Sequence, residues 1–228
     1  MKDFTHKQIA LGYDLSATFT DAGRLYKVPS GNYYPSVTTF LGHFTSKSLE
    51  GWKKAVGEKE AERVGHHAVT RGNAVHNTAE RYINNDVDYL VECTMPHVRQ
   101  MWGSLERILD ERVDNVVLQE CPLYSDKLML AGRVDLIAEF DGVMSIIDFK
   151  TSSRAKSRDE ISNYFMQECA YAIMFEERTG IVIDQLVTIM VVECTDESLI
   201  FVEDKHDWID VLQSKRDEYF KHIKGNIK

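Results

Sequence analysis

Asp135, Asp148 and Lys150 are the residues of this 228-residue chain that first suggest chemistry. Asp135 stands in the apolar run "GRVDLIAEF", and Asp148 and Lys150 close the apolar run "VMSIIDFK". A carboxylate among apolar neighbours is costly unless it is paired or bound to a cation. Asp141-Gly142 between the two runs is a strong hairpin signal. The acids lie at matched distances from it, Asp135 seven residues before Gly142 and Asp148 seven after Asp141. Two close carboxylates repel, so they call for a cation between them or for a raised pKa. A hard divalent ion, Mg²⁺ or Mn²⁺, suits oxygen ligands of this kind.

Strand alternation puts Lys150 on the same face as Asp148, while Phe149 points to the other side with its carbonyl still available. An ammonium beside a metal-binding carboxylate can orient water and steady a developing negative charge.

The elements that must position these groups follow from periodicity. "LSATFTDAGRLYKVP" reads as a hairpin turning at Asp21-Ala22-Gly23. Ser36 is a candidate N-cap for a short helix stopping near Gly42. Residues 46–65 and 70–84 have helical patterns, with His66-His67 near the end of the first. Met95–Arg112 is a third helix. Residues 115–125, 129–140 and 143–150 are strand-like. A helix from about Asp159, its candidate N-cap, to Arg178 has Gly180 as its terminator. Residues 183–193 and 198–203 are strands, and 206–223 form a closing amphipathic helix. The order implies an α/β fold in one domain, a mixed sheet flanked by helices.

Net charge is −9, with 43% hydrophobic and 28% charged residues. That balance is ordinary for a globular chain and argues against coating nucleic acid by bulk attraction, but leaves room for a local basic groove. No apolar run is long enough to span a bilayer, and no signal peptide is indicated, so a cytoplasmic location is expected. Cys93, Cys121, Cys169 and Cys194 have no CxxC spacing and read as small, buried, reduced thiols, Cys121 and Cys194 in strands. His66, His67 and His76 do not make a zinc-protease motif.

"GRVDLI…IIDFKTS" resembles the paired motifs of the PD-(D/E)xK nuclease superfamily. Gly-Arg-Val-Asp replaces Pro-Asp, as in the RecB-like and mitochondrial genome maintenance exonuclease-like branches. "QECAY" places Gln167 and Tyr171 on one helix face and resembles the QxxxY motif of RecB-type nucleases. "YYPSVTTFLG" is similar to a segment of the same group that lines a path for single-stranded DNA. The resemblance implies a restriction-endonuclease-like core, with residues of about 1–65 as an N-terminal extension packed on it. It implies catalytic roles for Asp135, Asp148, Lys150, Gln167 and Tyr171. Metal ligation would fall to His76, Glu120, Asp135, Asp148 and the Phe149 carbonyl, with Mg²⁺ or Mn²⁺ as cofactor. DNA contacts would come from Ser36, Thr38, Arg71, Thr151, Ser152, Arg154, Lys156, Gln167 and Tyr171, with Arg158 along the same path. Tyr33, Tyr34 and Trp52 are candidates to stack bases. The cysteines lack the clustering of the iron–sulfur members, so no such cluster is expected.

The implied activity is a DNA exonuclease acting on single strands or ends in replication, recombination or repair, in a compact format that suits a phage enzyme. Replication or recombination proteins are candidate partners. A structure-selective endonuclease and a non-catalytic nucleic-acid-binding protein are the alternatives. Polarity of digestion and oligomeric state are not legible.

Overall fold

The computed structural model describes residues 2–21, 23–195 and 198–226. A five-stranded sheet is its centre, in the order β4-β5-β6-β7-β8. Strands β4 (Val113–Ser125), β5 (Leu130–Phe140) and β6 (Val143–Ser152) form an antiparallel meander. Strand β7 (Gln185–Val192) lies parallel to β6, and β8 (Ser198–Asp204) returns antiparallel to β7. A parallel neighbour needs a crossover, and helix α4 (Ser162–Thr179) supplies it. The fold is mixed α/β, consistent with a restriction-endonuclease-like architecture.

The β5–β6 turn is set by Asp141 and Gly142, both at positive φ (52° and 79°), the pairing that a two-residue hairpin of right-handed twist requires. Gly180 ends α4 at φ 74°, and its N–H caps the Glu176 carbonyl. The N-cap ahead of α4 differs from the expected one. Ser157, not Asp159, caps a 3₁₀ turn through a capping box with Glu160, and the α-helix proper begins at Ser162. Ser157 wins because Glu160 sits three residues on and can return the bond.

Strands β1 (Ser16–Thr20), β2 (Gly23–Lys27) and β3 (Tyr33–Pro35) make a small antiparallel sheet. Of its expected turn Asp21-Ala22-Gly23, Ala22 lies outside the described residues. The Ser36 side chain caps helix α1 (Val37–Val56) by accepting from the Thr39 N–H at 2.9 Å. The helix runs through Gly42 rather than stopping there. Val37, Phe40 and Leu41, with Phe44 packed against them, hold one apolar stripe across that glycine, and burial outweighs a propensity cost of about 1 kcal/mol. The break falls at Gly57, φ 87°, where α1 ends and α2 (Glu58–Ile83) begins. His66 and His67 are therefore inside α2 and not at a helix end.

Two cores sandwich the sheet. α1, α4 and α5 (His206–Asn226) cover one face, with Phe165, Phe175 and Leu212 against Ile137, Ile146 and Leu186. α2 and α3 (Pro96–Arg112) cover the other, with Tyr82, Trp102 and Leu105 against Leu136, Ile147 and Val187. Cys93 and Cys169 are buried as expected, but Cys194 is exposed: strand β7 stops at Val192, and Cys194 turns away at φ 62°. No helix among the described residues is long and apolar enough to cross a membrane.

Candidate active site

Register carries three acids into one row across the sheet. On β4 and β5, Gln119 pairs with Leu136 and Cys121 with Val134, which leaves Glu120 opposite Asp135. On β5 and β6, Leu136 pairs with Ile147, so the next step brings Asp135 level with Asp148. Like charges directly opposite each other are unfavourable in a sheet, and the backbone departs from regularity here. Glu120 sits at φ 44°, and Asp135 Oδ2 accepts the Phe149 N–H at 2.9 Å.

Each acid has its own environment. Asp148 is 1% exposed. Its Oδ2 forms an ion pair with Lys150 Nζ, and its Oδ1 accepts the Gln167 amide at 2.7 Å. Burial pushes the Asp148 carboxyl up and Asp135 adds to this, while Lys150 opposes it. Burial alone would pull the Lys150 ammonium down, but Asp148 and Asp135 outweigh it and its pKa is raised. Glu120 is pushed up to about 8, by burial first and then by Asp135 and Glu80. His76, from α2, places Nδ1 3.5 Å from Asp135 Oδ2. One donor atom from each of His76, Glu120 and Asp135 lies within 4.8 Å of the others. Asp148 is not in that group, being turned to Lys150 and Gln167.

Helix α4 props the row from beneath. Gln167 and Tyr171 share a face, as their spacing predicts, and both reach the sheet. Tyr171 lies against Gly132: a Cβ there would meet the ring and hydroxyl at 2.8 Å. Burial, then Asp135 and Asp148, raises the Tyr171 hydroxyl well above its ordinary range. Next along α4, Glu168 is fully buried, hydrogen-bonds Thr188 on β7, and is held well above the carboxylate range by burial and by Asp148.

Part of this set lines a cleft of about 520 Å³, with Asp148 and Glu168 buried beneath it. Gly72, Asn73, His76, Asn77 and Glu80 of α2 form one wall, and Arg24 and Thr38 another, with Glu120, Arg133, Asp135, Lys150, Gln167 and Tyr171 also lining it. Arg24 and Arg133 carry no signal in the sequence: each is a single arginine in a strand. A larger cavity of about 670 Å³ at the α1–α2 junction, lined by Trp52, contains none of the row.

Several residues expected to meet DNA do not line this cleft. Arg71 is 5% exposed and held by Glu193 at 2.7 Å. Arg154 pairs with Glu160 and Arg158 with Glu203, while Lys156 donates to the Tyr164 hydroxyl at 3.3 Å. Ser36 is fully buried under its capping role, and Ser152 is 4% exposed. Thr151 faces Gly72 of α2. Thr38 is exposed and in the cleft, where its hydroxyl accepts from Arg24 at 3.2 Å. Tyr34 is buried with its hydroxyl on Asp126, and Tyr33 is exposed outside the cleft lining.

An acid row with a lysine at the end of the central strands, on a meander followed by a crossover helix, defines a class of nuclease. The family model of the PD-(D/E)XK nuclease superfamily matches residues 43–198, and the chain belongs to that superfamily. Among solved structures, 18 chains match. A protein from Eubacterium rectale named "Putative exonuclease" is similar at 12% identity and a TM-score of 0.46, over 69% of each chain. A protein named SSO0001 is similar at 11% identity and a TM-score of 0.31, over 62% of this chain and 71% of that one. No curated protein matches.

Proposed function

We propose that the protein is a divalent-metal-dependent DNA exonuclease that works on single strands or DNA ends. The observation that carries this is the row Glu120–Asp135–Asp148, with Glu120, Asp135 and Lys150 lining one cleft and Asp148 buried beneath it. The residues fit a hard cation: donors from His76, Glu120 and Asp135 already converge, and burial, with Asp135 and Glu80 nearby, raises the Glu120 pKa although Arg133 opposes it. Asp135, Asp148, His76, Glu120 and the Phe149 carbonyl would hold it. A cation bound there supplies a Lewis acid for a phosphate oxygen and a water of lowered pKa.

The protein's own groups do the rest. Asp148 and Asp135 favour the charged form of Lys150, which would orient water and stabilise the phosphorane. Gln167 holds the Asp148 carboxylate in one orientation. Arg24, Thr38 and Arg133 line the cleft and would bind phosphates of the incoming strand, Arg133 from beside Glu120. Arg24 and Thr38 come from the N-terminal 65 residues, which supports reading that segment as an extension serving the nuclease core. Replication, recombination or repair in the cytoplasm, alongside proteins of those processes, is the setting this activity fits.

Digestion of 5′-blocked, 3′-blocked and covalently closed single-stranded DNA, with Mg²⁺ and with EDTA, tests the proposal. Loss of one blocked linear substrate only in Mg²⁺ is the expected result. Cutting of the closed circle would make the enzyme an endonuclease instead.

A further inference from the structure

A second group of ligating side chains lies away from the nuclease cleft. His67 on α2, His97 in the first turn of α3 and Glu193 just after β7 each offer a donor atom within 4.8 Å of the other two. His76 lies nine positions beyond His67 on α2, about 13.5 Å of helix, and none of the three lines the cleft.

We propose that His67, His97 and Glu193 form a binding site for a borderline divalent cation of the zinc type, distinct from the nuclease centre.

Four observations point to it. The imidazoles stack, with centroids 5.2 Å apart and planes at 29°, although nothing apolar about a pair of imidazoles drives them together. His97 Nε2 is buried and has no hydrogen-bond partner, a cost that a ligand would remove. His67 Nε2 stands 3.7 Å from Glu193 Oε1. Arg71 takes the other oxygen, Oε2, at 2.7 Å, and so fixes the carboxylate with Oε1 toward the histidines. A guanidinium on the far oxygen orients a monodentate carboxylate as outer-shell partners of metal ligands do.

Two imidazoles and one carboxylate suit zinc and its borderline neighbours, with a fourth position left for water. Mg²⁺ is the wrong ion for two nitrogens. The His67 side chain is 44% exposed, so it can rotate to close a site now slightly wider than a bound ion needs. Such an ion would tie α2, α3 and the end of β7 together, and α2 is the helix that carries His76.

The test uses the full-length, metal-stripped protein in excess Mg²⁺, which competes for the nuclease centre. Zn²⁺ is titrated by calorimetry, Co²⁺ by its visible absorption, and melting is followed with and without Zn²⁺. The wild type should bind one zinc and melt at a higher temperature with it. His67→Ala and Glu193→Gln should each weaken binding at least about 100-fold, more than loss of an outer-shell contact does, and abolish the Zn²⁺ shift. Asp135→Asn should leave both unchanged. His67 is half exposed, so the metal-free melting of His67→Ala should match the wild type, separating ligand loss from misfolding. Unchanged Zn²⁺ affinity in His67→Ala, or no zinc bound by the wild type, would overturn the proposal.

Discussion

The Gln167 amide donates to Asp148 Oδ1 at 2.7 Å, so a helix residue holds the acid at the end of β6. Its motif partner Tyr171, one turn further along α4, packs on Gly132 of β5. Together they fix two strands from below. A Gln167 that positions Asp148 predicts a particular kinetic signature. Gln167→Leu should lower kcat about 10- to 100-fold, the usual cost of losing an outer-shell partner, with KM for DNA little changed. A rise in KM with kcat intact would mean that Gln167 serves DNA binding instead.

Gly132 precedes the Arg-Val-Asp of its motif for a reason visible only in three dimensions. A Cβ at Gly132 would come within 2.8 Å of the Tyr171 ring. Gly132→Ala should therefore cost about 1–3 kcal/mol, the range for forced overpacking. Tyr171→Leu should absorb much of that cost, so the double variant will be more stable than the sum of the singles predicts. Denaturant melts of the four proteins measure the coupling, and additive costs would place the strain elsewhere.

Lys150, at the cleft, forms an ion pair with the buried Asp148 carboxylate. Removing one partner leaves an uncompensated charge, at about 3–5 kcal/mol. Lys150→Met should thus destabilise the metal-free protein by about that much and abolish cleavage. Adding Asp148→Asn should recover most of the stability and none of the activity. Melting and cleavage assays on the two variants check both halves.

Much of this arrangement was legible in the sequence because it depends on local signals. The Asp141-Gly142 turn sets the β5–β6 register, and that register alone aligns Asp135 with Asp148. Gly180 ends its helix as glycine near a helix end should. Where two glycines competed, the local signal failed. Gly42 is bridged by a continuous apolar stripe, and Gly57 is not. The basic residues were the least legible, because charge does not name its partner. Arg71 and Arg158 answer acids 122 and 45 residues away, while Arg24 and Arg133 reach the cleft from strands with no basic cluster around them.

The Glu120 carboxyl, raised to about 8 by burial and by Asp135 and Glu80, makes metal-free stability depend on pH. A folded pKa above the unfolded one favours the native state at low pH. That contribution is fully present below about pH 4.5, the ordinary value. It is lost as pH rises toward and through 8, where the buried group must ionise. Glu120→Gln should match the wild type near pH 4 and exceed it at pH 9, by up to about 5 kcal/mol. Mg²⁺ should reverse the order, because the wild type alone gains a full donor set. Melting curves at the two pH values, with EDTA and with Mg²⁺, test it. A variant less stable than wild type at pH 9 in EDTA would contradict the raised pKa.

The cleft's cations make the last prediction, which separates DNA contact from scaffolding. Arg24 lines the cleft beside Thr38, whereas Arg71 is buried against Glu193. Arg24→Ala should weaken DNA binding and lower the salt dependence of affinity by about one phosphate contact, with the melting temperature unchanged. Arg71→Ala should do the opposite. It leaves Glu193 partly buried without its counter-ion, so it should lower stability by about 3 kcal/mol and leave the salt slope in place. Binding measured across a salt series, using Asp148→Asn as a cleavage-silent background, compares the two. A reduced slope in Arg71→Ala would put that arginine on the path of the DNA after all.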